Sequence, residues 1–209
     1  DIEAIPAEDR RYYEKFGCFQ PNNPAINDFG RDVLFQLITQ EQGRRLARDF
    51  DREVLPRLKK LLARLAALIG RAEGDASARA VFVDLRDRTR AYLHWCTTLR
   101  NICGWVYGVY AYLDAKTAAA RRAPEAYVQS CIDLELANTR VLLELWETSS
   151  TEFMAVYGVA ETGFMYGENF GDLLRKKIAL TEKYRHRRPR IDRNIIWRIE
   201  PGITWPART

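Results

Sequence analysis

The sequence predicts an all-α fold, an antiparallel bundle of about five or six helices with an extended C-terminal tail. Three observations carry this. In residues 81–113, Leu85, Thr89, Tyr92, Cys96, Leu99, Cys103, Val106, Tyr110 and Leu113 follow one another at alternating four- and three-residue spacing, which lines them up on one helical stripe. Leu93, Trp95, Ile102, Trp105, Val109 and Tyr112 form a second stripe beside it, and only the first third, with Arg86, Asp87, Arg88 and Arg90, reads as solvated. A helix apolar nearly all round is a buried one, so this segment is expected to be the central rod. The same spacing recurs in Tyr127, Cys131, Leu134, Asn138, Val141 and Leu145. Finally, Val33, Leu34, Leu37 and Ile38 begin a helical face that Leu46, Phe50, Val54, Leu58, Leu61, Leu65 and Leu68 continue.

With 209 residues, 47% apolar and 29% charged, the chain is expected to be a single helical domain, residues 1–209, with a real core. Residues 1–27 read as an N-terminal helix and connector, 28–184 as the helical core, and 185–209 as a basic run and apolar tail. A short helix is expected over 6–17, opened by Pro6 and ended by Gly17, followed by the turn-rich FQPNNPAIND. From about Asp28 to Gly70 the pattern is helical, interrupted at Gly43 and Pro56, so one kinked helix or two in succession are expected. Gly70–Ser77 is a turn with Asp75 and Ser77 as cap candidates. In the rod, Gly104 and Gly108 share a face and allow another backbone to approach. Asp114–Pro124 reads as a linker that ends with Pro124 at a first helical position, and the next helix runs to about Thr148. Asn138, on its apolar face, is expected to set register or bond a neighbouring helix. Residues 154–171 mix four glycines with four aromatic residues and Met165 and read as a loop, either stapling one end of the bundle or facing a ligand. A last amphipathic helix spans Asp172–Tyr184. The tail beyond it carries Ile191, Ile195, Ile196, Trp197, Ile199, Ile203 and Trp205, too apolar to stay free, and is expected to wrap the bundle or meet a neighbouring domain or a second copy.

The chemistry-bearing inventory is short. There are two histidines, His94 and His186, neither has Glu three residues before it, and the cysteines lack zinc-site spacing. No GxxxxGK[ST], GxGxxG or GxSxG motif occurs, so no metal, cofactor or catalytic constellation is expected. His94 reads as a structural histidine. Carboxylate pairs such as Asp133/Glu135, Glu144/Glu147 and Glu161/Glu168 are plentiful, but spacing alone does not make two converge. Cys96 and Cys103, seven apart on one helix, are beyond disulfide reach; with Cys131 and Cys18 they read as apolar thiols, which favours a reducing compartment such as the cytoplasm. No stretch is apolar enough to span a membrane. The first residue is Asp1, with no secretory signal after it, so the start is expected to be a processed end or a boundary within something larger.

The net charge is +5, concentrated in Arg185, His186, Arg187, Arg188 and Arg190. That run, with the face Arg44, Arg45, Arg48, Arg52, Arg57, Lys59, Lys60 and Arg64, reads as a solvated surface or as a contact for nucleic acid or an acidic partner. Tyr157, Glu161, Tyr166, Glu168 and Asn169 are the ligand-binding candidates, aromatic rings to stack and polar groups to hydrogen-bond a sugar or base. The stretch GENFGDLLRKKIALTEKYRHRRPRIDRNIIWRI, residues 167–199, resembles the closing helix and tail of the helical regions that follow catalytic barrels in some bacterial glycoside-hydrolase-like proteins. The resemblance implies an accessory domain whose catalytic carboxylates lie on a barrel outside this chain, and it assigns no catalytic residue here. Three readings follow: a non-catalytic accessory or interaction domain, through the tail and the Asn138/Arg140 face; a basic nucleic-acid-associated subunit; or a small-molecule enzyme or binder with its pocket at 157–170.

Overall fold

A computed structural model describes residues 39–151, 153 and 170–188. Of these, 88% are helical and none is in a strand, so the all-α class holds. The elements are α1 (Gln40–Asp49), a π-helical turn (Phe50–Val54), α2 (Leu55–Arg71), α3 (Ala76–Asp114), α4 (Ala118–Thr148) and α5 (Phe170–Tyr184). No described helix is long and apolar enough to cross a membrane.

Helix starts follow their caps. Thr39 and Gln42 form a reciprocal box: the Gln42 amide donates to Thr39 Oγ1 at 3.2 Å and the Thr39 amide to Gln42 Oε1 at 2.8 Å, satisfying two otherwise orphan donors. The first described helix therefore opens at a local signal, T-x-x-Q; the helical start expected near Asp28 lies outside the described residues. Pro56 does not split the following run. Its ring would press on the Arg52 carbonyl, and the turn before it widens so that the Leu55 amide bonds back to Phe50 O, relieving that clash without ending the helix. Asp75 Oδ1 takes the Ala78 amide at 3.0 Å and so caps α3. Pro124 does not open α4. Thr117 does, its Oγ1 accepting the Ala120 amide at 3.1 Å, which leaves Pro124 inside the helix.

The described residues fall into two compact units. One contains 39–45, Ile102–Val128 and 187–188; the other contains Leu46–Asn101 and the described part of Gln129–His186. In the first, Cys103, Val106, Val109, Tyr110, Tyr112 and Val128 are buried, and Tyr107 meets Tyr127 edge-on, centroids 5.6 Å apart. Gly108 is where the α3 and α4 surfaces come closest: a Cβ there would lie 2.7 Å from Val128 Cγ2. Arg188 Nε bonds Glu125 Oε1 at 3.2 Å.

In the second unit the core is Ala47, Leu55, Leu65, Cys96, Cys131, Leu136, Leu145, Leu174 and Leu180. Trp146 packs edge-on against Phe170, centroids 5.0 Å apart. Cys96, Cys103 and Cys131 are free, buried thiols, and burial pushes the Cys103 thiol up to about 11. The first third of α3 departs from its sequence pattern. Leu85 and Tyr92, placed by spacing on the buried stripe, are 47% and 53% exposed, whereas Asp87, expected in solvent, is 3% exposed. Leu134 and Val141 on α4 and Leu61 on α2 are likewise exposed.

Candidate functional site

Two polar centres lie inside the second unit. The first is built around Glu135, which α4 directs between α3 and α5. Its Oε1 accepts the Thr98 hydroxyl at 2.7 Å and the Lys177 ammonium, and its Oε2 accepts Asn101 Nδ2 at 2.8 Å. One turn on, Asn138 donates from Nδ2 to His94 O at 3.0 Å and to Thr98 Oγ1 at 3.1 Å, while its Oδ1 lies 2.7 Å from His94 Nδ1. The donors and acceptors are consistent with one arrangement only. Asn138 Oδ1 must accept, so Nδ1 carries the imidazole proton, and Thr98 receives from Asn138 and donates to Glu135. A continuous chain thus runs from His94 through Asn138, Thr98 and Glu135 to Lys177.

This chain is a register device: shifting α3 against α4 by one residue would orphan several buried groups together, each at about 1–3 kcal/mol. It also sets the state of His94. Burial, the dominant influence, pushes the imidazole down; the Asn138 bond and the Glu135 charge pull it up, Arg90 pushes it down, and the result lies below 6.5. A group whose folded value is depressed binds fewer protons in the fold than in the unfolded chain. Its contribution to stability is therefore complete above the unfolded value and is lost as pH falls through the folded one. Acidification downward from 6.5 is expected to lower the urea midpoint, and His94→Gln is expected to remove that part of the slope. A wild-type midpoint no more sensitive to acid than that of the variant would contradict the assignment.

The second centre is Asp87. Its Oδ1 accepts Arg86 Nε at 2.7 Å and lies 3.5 Å from Arg90 Nη1, and its Oδ2 accepts the Ser149 hydroxyl at 2.7 Å. Burial alone would raise the carboxyl, but hydrogen bonds from Arg86 and Ser149 and the charges of Arg86 and Arg90 outweigh it and hold Asp87 below the usual carboxylate range. Beside this centre, Ser150 and Thr151 after α4 and the first turns of α3 enclose a cleft of about 580 Å³.

The sequence-named residues fare unequally. Arg185 pairs with Asp133 at 2.7 Å and Arg188 with Glu125, and Arg187 has an interaction of its own, so these three are engaged by protein groups. Tyr157, Glu161, Tyr166, Glu168, Asn169 and Arg190 lie outside the described residues, as do Cys18, the 6–17 helix and the apolar tail. Asn138 is buried and bonds the neighbouring helix, whereas Arg140 pairs with Glu182 and its side chain is 53% exposed. Beside the basic face, Asp51 takes Arg100 of α3 in a two-pronged pair, at 2.9 Å from Nε and from Nη2. Spacing missed Asp87 because a single acid among four charged residues looks solvated, and it missed Lys177 because its partner is 42 positions away. No group of His, Cys, Asp and Glu among the described residues could hold a metal ion.

Compared with known proteins, the chain matches no family model, no curated protein and no solved structure.

Proposed function

We propose that the chain is a non-catalytic helical accessory domain that docks, through exposed apolar residues, against a neighbouring domain of a larger carbohydrate-active protein. The observation that carries this reading is the inverted polarity of α3 and α4. Val81, Leu85 and Tyr92 on α3 are 64%, 47% and 53% exposed, and Leu134 and Val141 on α4 are 50% and 42% exposed, while Asp87 and Glu135 occupy interior positions. Apolar side chains kept at four- and seven-residue spacing on an exposed face suit a partner surface. Saturated polar centres inside suit a scaffold that must hold one register. In this reading the remaining chain completes an antiparallel bundle of five or six helices, and the resemblance of 167–199 supplies the expected neighbour, a catalytic barrel.

The test is the mass of the native protein in source-cell extract, detected with an antibody raised against this chain. A band well above 24.3 kDa is expected. That heavier protein should lose its resistance to limited proteolysis when Leu85, Tyr92 and Leu134 are changed to Glu. A 24 kDa band running as a monomer would end the proposal, and one running as a dimer would reassign the face to a second copy.

A second reading rests on α2, where Lys59, Lys60 and Arg64 are exposed and have no carboxylate partner among the described residues. As a nucleic-acid contact these cations would give affinity that falls with salt, with a slope near the number of phosphates met. Their joint change to Glu should then abolish binding to duplex DNA or RNA; unchanged binding would remove this reading.

A further inference from the structure

We draw no further inference here: the strongest candidate, the exposed apolar stripe of Val81, Leu85 and Tyr92 along the first third of α3, belongs to the docking surface already proposed, and nothing in the structure shows what covers it.

Discussion

Glu135→Ala is expected to lower the unfolding free energy by about 3–4 kcal/mol in urea titrations, because one carboxylate satisfies three donors from two other helices. Thr98, Asn101 and Lys177 all lose their acceptor, and Asn101 is only 2% exposed, so water cannot replace what is lost there. The Lys177 side chain is 25% exposed and can recover part of its hydration, which keeps the estimate below the full cost of an unpaired buried ion. Glu135→Gln, which keeps acceptor capacity but removes the charge, should cost less, about 1–2 kcal/mol. Lys177→Met combined with Glu135→Gln should cost less than the two single losses added, since each alone strands the other's partner. A Glu135→Ala loss below about 1 kcal/mol would mean that the chain from His94 to Lys177 does not hold the helices.

Gly108→Ala should destabilise by about 1–2 kcal/mol although alanine is the better helix former by roughly 1 kcal/mol. The added methyl would sit 2.7 Å from Val128 Cγ2 and 3.1 Å from Tyr127 Cδ1. Val128 is 3% exposed, and its short branched side chain has little room to turn away, so α3 and α4 must separate locally. Gly70→Ala provides the internal contrast. A Cβ at Gly70 meets nothing within 4 Å, so the same substitution on α2 should stabilise, by up to about 1 kcal/mol. Thermal or urea unfolding of the two variants should shift in opposite directions. In the double change Gly108→Ala with Val128→Ala the two losses should not add, because the new methyl enters space the valine vacates.

The legible and illegible parts of this chain divide along one physical line. Local signals were readable one helical turn at a time: the apolar spacing behind the all-α class, the Asp75 cap before α3 and the close approach at Gly108. Where local rules misled, a second local rule usually won. Thr117 caps α4 ahead of Pro124, and a widened turn absorbs Pro56 so that the helix continues. The candidate site was legible only at its edge, where Asn138 stood out as a polar exception on an apolar helix face.

The amino-acid order alone determined that the described residues are built of helices, where α3 starts, and that Cys96, Cys103 and Cys131 behave as apolar residues, because caps, propensities and spacing act between residues a few positions apart. Only the tertiary structure decided which face of each helix is inside. Leu85 and Tyr92 are outside and Asp87 inside, because Ser149, 62 positions away, together with Arg86 and Arg90, compensates the buried charge. Glu135 lies between helices because Lys177, Thr98 and Asn101 converge on it. A buried charge is stable only once its partners arrive, and their arrival is a property of the packed fold.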